Sequence, residues 1–148
     1  MTNPFRYYLR VRYSECDAQK VVFNARYAEY VDIATVEFFR ASCSVFGFFE
    51  YHLVKQTIEW FAPARFDQVL ELSVSVQHIG TTSFTIVTEL RVAGSEQVIS
   101  GAETVNVFID AATMKKTSIP PDLRTAMERG APGAVVDHAG YFSSPGTV

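Results

Sequence analysis

Two carboxylates, Glu15 and Asp17, flank Cys16 at the start of the stretch SECDAQKVVFNARYAEY, and an apolar run follows them. A carboxylate that faces a pocket can act as a general base or as a nucleophile. Asp is also a common turn and capping residue, so Asp17 has a purely structural interpretation as well. These residue types by themselves leave both interpretations open.

The thiol of Cys16 is a further candidate nucleophile. A cysteine attacks as the thiolate, and two neighbouring carboxylates raise the thiol pKa, so we predict that Cys16 is a small packed residue. Cys16 and Cys43 are too few for a disulfide framework, and no Cys/His grouping has the spacing of a metal site. We therefore expect reduced thiols, and neither a metal nor a redox cofactor.

The elements that position these residues are predicted by apolar periodicity. Alternation from Phe5 to Tyr13 predicts a strand, and apolar spacings of three and four from Asn24 to about Ser42 predict a long helix. The apolar stripe of this helix comprises Tyr27, Tyr30, Val31, Ala34, Phe38 and Ala41. A second, semi-apolar flank carries Asp32 as its only charge and comprises Ala28, Asp32, Thr35, Val36 and Phe39.

Three strand-like runs follow, over about residues 53–66, 68–94 and 96–110, and the middle run has a hairpin turn near IGTTS. A short helix is predicted within IPPDLRTAMERG, ending at Gly130. The order of strand, long helix and four or five further strands indicates an α+β layer architecture. We assign residues 1–130 to one domain and expect residues 131–148, rich in Gly, Pro, Ser and Ala, to form a loosely held tail.

Length and charge exclude several classes of protein. A chain of 148 residues with 48% hydrophobic residues supports one core. A net charge of -3, without a Lys/Arg run, argues against a nucleic-acid partner. The N-terminus lacks a signal-peptide pattern, and no apolar stretch approaches the roughly 18 residues of a membrane span. We expect a soluble, cytoplasmic protein.

The segment from Glu15 to Tyr27 resembles a signature of the 4-hydroxybenzoyl-CoA thioesterase family of hotdog-fold proteins. That signature is a strand, Asp-x-Asp-x-x-Gly, a short apolar run, a polar or aromatic pair, and a Tyr that opens the central helix. Further similarity lies in PAR within WFAPARFDQVLEL, in GTTSF, and in VNVFID before a P-x-x-L-R helix. The resemblance covers about residues 5–127.

The resemblance implies an antiparallel sheet of about five strands wrapped around one long central helix. It also implies hydrolysis of a fatty or aromatic acyl-CoA to free acid and CoA, with Asp17 as general base or nucleophile. Unpaired N–H groups at the helix start near Asn24 are the expected oxyanion donors. The implied substrate-binding residues are Asn24, Tyr27, Phe23, Asp32 and Arg65.

Each of these residues also has an alternative role that involves no substrate or no catalysis. Tyr27 either packs in the core or shows its hydroxyl to the acyl pocket, and Asp32 either meets a polar acyl group or pairs across a subunit contact. Arg65 either binds a CoA phosphate or is an ordinary surface charge. Glu15 either raises the pKa of Asp17 by like-charge repulsion or is a solvated acid.

Hotdog relatives place their pockets between two subunits, and the second flank, with Val36 and Phe39, has no obvious partner inside a lone domain. We therefore expect a homodimer or homotetramer. Lys20 stands where the family usually has Gly, at a position that favours positive φ. This departure supports the alternative of a hotdog protein that binds acyl thioesters or a protein partner without hydrolysis.

Overall fold

A computed structural model describes residues 4–44, 47 and 49–143. Its elements are β1 (Phe5–Arg10), α1 (Arg26–Ser42), β2 (Tyr51–Trp60), β3 (Val69–Ile79), β4 (Ser83–Val92), β5 (Val98–Phe108), α2 (Pro121–Arg129) and β6 (Val135–Asp137). A 3₁₀ turn at Tyr13–Glu15 follows β1. Within these described ranges, no helix is long and apolar enough to cross a membrane.

The six strands form one sheet in the order β2-β5-β4-β3-β1-β6. All neighbours are antiparallel except β1 and β6, which are parallel. The predicted α+β hotdog class is confirmed, with α1 as the long central helix. The sheet has six strands where the resemblance implied about five.

The apolar stripe of α1 faces the sheet. Its buried members, each no more than 2% exposed, are Tyr27, Tyr30, Val31, Ala34 and Phe38. They share one core with Leu70 and Leu72 of β3 and with Phe84 and Ile86 of β4. Burial of each large apolar side chain contributes about 1.5–3 kcal/mol, so this stripe holds α1 on the sheet. Ala41, the last predicted member, is exposed.

The second flank of α1 finds an aromatic partner within its own chain. Phe39 is buried, and its ring centroid lies 5.0 Å from that of Phe49, 5.4 Å from Tyr51 and 5.7 Å from Phe84. The expectation that Phe39 lacks an intramolecular partner is therefore wrong, because the start of β2 supplies one. Val36 remains partly exposed.

Residues 131–143 are held against the sheet. β6 pairs with β1, and the Tyr7 hydroxyl and His138 Nδ1 are hydrogen-bonded at 2.9 Å. Tyr141 stacks on Tyr8 with ring centroids 5.2 Å apart. The expectation of a loosely held tail is wrong for these residues, because backbone pairing and aromatic contacts fix them. Residues 144–148 lie outside the described part, and the domain boundary at residue 130 stays a prediction.

β2 occupies one edge of the sheet. Its inner edge pairs with β5, whereas no described strand pairs with its outer edge. Several of its apolar side chains are about half exposed, among them Leu53, Val54 and Trp60. A long apolar edge strand is a surface that natural proteins normally cover.

Candidate active site

Asp17 lies in a tight turn within residues 16–22, here named the carboxylate loop. The Asp17 N–H donates to the Val21 carbonyl, and the Lys20 N–H donates to the Asp17 carbonyl, both at 2.9 Å. The exposed Asp17 side chain accepts a hydrogen bond from the Gln19 N–H at Oδ1, 2.8 Å away. Its Oδ2 has no hydrogen-bond partner among the described residues. One carboxylate oxygen therefore finishes the turn, and the other is free for chemistry.

Lys20 adopts the left-handed conformation that the family glycine implies. Its φ is +62°, and only a few per cent of non-glycine residues have positive φ. The left-handed conformation costs a residue with a Cβ about 1–2 kcal/mol. The carboxylate loop thus keeps a glycine-like bend with a lysine in it.

A second loop holds the carboxylate loop in place and carries Arg65. The Val22 N–H donates to the Ala64 carbonyl at 2.8 Å, and the Phe66 N–H donates to the Lys20 carbonyl at 3.0 Å. These bonds place Arg65 beside the carboxylate loop. Its exposed guanidinium forms no ion pair in the part of the chain that the structure describes.

The start of α1 offers two free backbone donors. The Arg26 N–H donates to the Phe23 carbonyl, but the N–H groups of Asn24 and Ala25 find no partner among the described residues. The Phe23 N–H donates to the Glu15 carbonyl at 3.0 Å, which ties the helix start to the segment that precedes Asp17. The side chains of Phe23 and Asn24 are exposed here. Such N–H groups, at the positive end of a helix dipole, can stabilise an oxyanion.

Glu15 is buried, with 4% exposure, so its interpretation as a solvated acid is wrong. Its Oε1 accepts hydrogen bonds from the Tyr30 hydroxyl and the Arg12 N–H, both at 2.8 Å. Its Oε2 accepts from the Arg12 guanidinium at 2.9 Å and 3.1 Å. Burial raises the pKa of the Glu15 carboxyl, but the bonds from Arg12 and Tyr30 outweigh burial, and the pKa lies below its ordinary value.

Cys16 is poorly suited to nucleophilic attack. Burial raises the pKa of its thiol, and the negative charges of Glu15 and Asp17 raise it further. The Cys16 thiol lies 3.6 Å from the Arg12 carbonyl, to which it can donate. A thiol with a raised pKa stays protonated, so the carboxylate of Asp17 is the better candidate.

Tyr27 is a core residue whose hydroxyl is already engaged. It is 2% exposed and accepts a hydrogen bond from the Ala64 N–H at 3.1 Å. Its ring meets Trp60 edge-on, with centroids 6.2 Å apart. Tyr27 thereby fixes the loop that carries Arg65, while its contact with an acyl group stays a prediction.

Asp32 lies away from the carboxylate loop, in a polar cavity of about 270 Å³ between α1, β2 and β5. The polar lining residues are Asp32, Thr35, Tyr51, Gln56, Thr104 and Asn106. Burial and the negative charge of Asp32 together raise the pKa of Tyr51 to about 12. Asp32 therefore faces a recess of its own chain.

An apolar cavity of about 200 Å³ lies further along α1 and includes Val36, Phe39 and Phe49 in its lining. Tyr51 lines both cavities. We name the two together the groove. The apolar cavity and the carboxylate loop lie toward opposite ends of α1, and the polar cavity lies between them along the helix.

Sequence reasoning missed the network around Glu15 and the polar cavity lining. For the cavity, the signal was the inward alternation of Ala102, Thr104 and Asn106 along β5, since a polar side chain at an inward strand position needs a partner. The bond from Tyr30 to Glu15 joins two residues 15 positions apart, and no local pattern indicates it.

Comparisons with known proteins identify the family of the chain. The model of the thioesterase-like superfamily matches residues 11–127. The acyl-CoA thioester hydrolase YbgC of Escherichia coli O6:H1 is 28% identical over 127 residues, which cover 82% of this chain and 94% of that protein. The acyl-CoA thioesterase YbgC of Haemophilus influenzae is 24% identical over 136 residues, which cover 85% of this chain and 96% of that protein.

Among solved structures, a 1,4-dihydroxy-2-naphthoyl-CoA thioesterase from Synechocystis superposes with a TM-score of 0.73 at 24% identity, covering 84% of this chain and 96% of that one. This likeness concerns the fold. The match of the family model over most of the chain shows more: the chain belongs to the thioesterase-like superfamily.

Proposed function

We propose that the chain hydrolyses an acyl-CoA thioester to the free acid and CoA, with Asp17 as general base or nucleophile. Its family and the named activities of its relatives identify it as a thioesterase. The observation that carries the catalytic proposal is the free Oδ2 of Asp17, in a loop tied to a helix start with two unpaired N–H groups. This arrangement supplies an attacking group and an oxyanion site together.

As general base, Asp17 takes a proton from water, and the resulting hydroxide adds to the thioester carbonyl carbon. The N–H groups of Asn24 and Ala25 donate to the oxyanion that forms. These hydrogen bonds lower the barrier because they stabilise the negative charge that develops on this oxygen in the transition state. The C–S bond then breaks, the acid is released, and the proton on Asp17 passes to the CoA thiolate.

As nucleophile, Asp17 instead adds its own oxygen to the carbonyl carbon, and the CoA thiolate leaves and takes a proton from solvent. Water then hydrolyses the acyl-aspartyl anhydride and regenerates the carboxylate. Both routes need the same free oxygen and the same oxyanion donors. Neither route requires a metal or a redox cofactor.

We assign the mouth of the site to Phe23, Asn24 and Arg65, which are exposed around the carboxylate loop and the helix start. The exposed guanidinium of Arg65 is suited to a phosphate of CoA. Asp32 and the groove are assigned to the acyl group. The cytoplasmic location stays a prediction.

Lys20→Gly is expected to change kcat/KM several-fold while unfolding free energy changes by less than about 1 kcal/mol. Relief of the left-handed strain is offset by the greater freedom of Gly in the unfolded chain. The cation of the carboxylate loop is lost at the same time. Lys20→Asn, which removes the cation and tolerates positive φ, separates the two effects. Unchanged activity with a large loss of stability would make Lys20 structural.

A homodimer or homotetramer is expected in solution, with the outer edge of β2 as an interface between copies. Val54→Asp places a charge on that edge and is expected to shift sedimentation at micromolar concentration toward the monomer. Val135→Asp, on β6 at the opposite edge, is the matched control and is expected to leave assembly intact. A stable, active wild-type monomer would contradict the proposal.

Hydrolysis itself is tested by measuring free thiol released from a panel of CoA esters with graded aliphatic and aromatic acyl groups. Turnover of at least one ester is expected. Ester binding without thiol release would favour the non-hydrolytic alternative. The main support for that alternative is weakened, because Lys20 adopts the positive φ that the family glycine implies.

A further inference from the structure

Lys20 and Arg65 are two cations at the candidate active site that have no anionic partner in the described part of the chain. Several arginines form ion pairs with carboxylates, as Arg10 does with Asp67 at 3.5 Å. The ammonium of Lys20 and the guanidinium of Arg65 form no ion pair or hydrogen bond with any residue that the structure describes. Both side chains are exposed. Their charges are therefore available to an anion from outside the chain.

The two cations lie on backbone segments that are bonded to each other. Val21 and Arg65 are paired in an antiparallel bridge, and the Phe66 N–H donates to the Lys20 carbonyl at 3.0 Å. Paired residues of such a bridge have Cα atoms about 5 Å apart, and Lys20 is only one position from Val21. The long side chains of Lys20 and Arg65 can therefore reach one anionic group together.

The conformation of Lys20 is strained for a residue with a side chain. Its φ is +62°, a value that glycine adopts without strain and that asparagine tolerates. Strained residues of this kind persist where the surroundings impose them, and they cluster at active sites and ligand sites. An ammonium without a described partner offsets none of this strain. The charge of Lys20 is therefore better explained by binding than by folding.

The charge of the whole chain makes local cations important for an anionic substrate. The net charge is -3, so no long-range field draws an anion to the protein. In the proposed substrate, the phosphate groups of CoA carry the negative charge, whereas the thioester is neutral. Lysine binds a phosphate as a point charge, and arginine binds it through a fork of N–H donors. A phosphate of CoA is the anion that fits this pair.

We infer that Lys20 is a carrier-recognition residue, which binds a phosphate group of CoA together with Arg65. The inference rests on the proposed thioester hydrolysis and gives a binding role to the residue that stands in place of the family glycine. Lys20 acts on the carrier and not on the reacting carbonyl. The two cations therefore select esters of CoA over esters whose pantetheine arm carries no phosphate.

The test compares a CoA ester with the pantetheine ester of the same acyl group, which keeps the thioester but lacks every phosphate. The acyl group is that of the best ester in the hydrolysis panel, and the measured quantity is the ratio of the two kcat/KM values. The wild type is expected to favour the CoA ester by about tenfold or more. Added salt is expected to lower this ratio, because ions screen exposed charges.

Lys20→Met removes the charge but keeps the length of the side chain. It is expected to lower the ratio about tenfold, through a higher KM for the CoA ester, and to leave kcat/KM for the pantetheine ester unchanged. Lys20→Arg, which keeps a cation, is expected to retain most of the preference. A 4′-phosphopantetheine ester identifies the phosphate: dependence on Lys20 that persists in this ester assigns the contact to the phosphate next to the arm, and dependence that disappears assigns it to the nucleotide.

Lys115→Met is the matched control, since it removes an equal charge from another exposed lysine. Lys115 lies beyond the end of β5 that pairs with the start of β2, whereas the carboxylate loop is bonded to the segment after the end of β2. The ten residues of β2 separate the two sites by about 30 Å. The ratio is expected to stay at the wild-type value in Lys115→Met.

Binding of free CoA, measured by calorimetry, tests the same contact without turnover. Lys20→Met is expected to raise the Kd of CoA about tenfold, and Lys115→Met is expected to leave it unchanged. A wild-type ratio near one, or an equal loss of kcat/KM on both esters in Lys20→Met, would overturn the inference alone. Absence of hydrolysis of every ester would instead overturn the proposed function, and the Kd values would still decide the role of Lys20.

Discussion

Glu15→Gln is expected to lower the free energy of unfolding by about 2–3 kcal/mol. The Glu15 carboxylate is buried and accepts four hydrogen bonds, from the Tyr30 hydroxyl and from the backbone and guanidinium of Arg12. A glutamine keeps only one oxygen, and its amide N–H₂ faces donors of Arg12. Bonds to a charged group contribute about 1.5–3 kcal/mol, and buried donors left unpaired add to the loss. Urea unfolding measures the difference.

Glu29→Gln, in the first turn of α1, is the matched control. Glu29 pairs with Arg26 at 2.9 Å, but both side chains are substantially exposed. An exposed pair of this kind contributes less than about 1 kcal/mol. If Glu15→Gln costs no more than Glu29→Gln, the hydrogen bonds of the Glu15 carboxylate to Arg12 and Tyr30 do not stabilise the fold as proposed.

The same network has a defined pH dependence. The folded pKa of Glu15 lies below the ordinary value of 4.5, so its contribution to stability is fully present above that value. The contribution is lost as pH falls through the folded pKa. The difference in unfolding free energy between wild type and Glu15→Gln is therefore expected to be large at a pH of about 7 and to shrink as pH falls below about 4.

Local periodicity was enough to predict β1, α1 and the β3–β4 hairpin, but not β6. The alternation after Phe5 and the spacings of three and four from Tyr27 to Phe38 depend only on near neighbours, and the structure confirms the strand, the long helix and the hairpin. The resemblance added the hotdog arrangement and the positive φ at Lys20. The elements follow from short segments read in isolation, whereas the hotdog arrangement rests on the resemblance over about residues 5–127.

Features that depend on distant pairs were not predictable. Glu15 looked solvated because Tyr30, whose hydroxyl donates to it, lies 15 positions further along the chain. Phe39 looked unpartnered because Phe49 and Tyr51 lie across a loop. The inward position of Asn106 follows from strand alternation, but its cavity exists only because α1 lies over β5.

Asp17→Asn is expected to lower kcat by about two to four orders of magnitude, the range that general acid–base groups supply. Asn keeps the size of the side chain and an oxygen that can accept from the Gln19 N–H, so the turn is preserved. It removes the negative charge and the basic oxygen. Stability is expected to change by less than about 1 kcal/mol, because Asn caps nearly as well as Asp.

Asp67→Asn is the matched control for this substitution. Asp67 is an exposed residue with a φ of +69° that pairs with Arg10 at 3.5 Å, and asparagine tolerates positive φ. Asp67→Asn changes the net charge by the same amount as Asp17→Asn, but it lies outside the carboxylate loop. Turnover of this variant is expected to stay within about twofold of wild type, because surface substitutions away from a site have small effects.

The most direct measurement is kcat for the best acyl-CoA of the panel together with the melting temperature, both on one preparation of Asp17→Asn. Melting close to that of the wild type, with thiol release lost by at least about a hundredfold, is the predicted result. Turnover at the wild-type rate in a well-folded Asp17→Asn protein would contradict it, and Asp17 would then be only a turn residue.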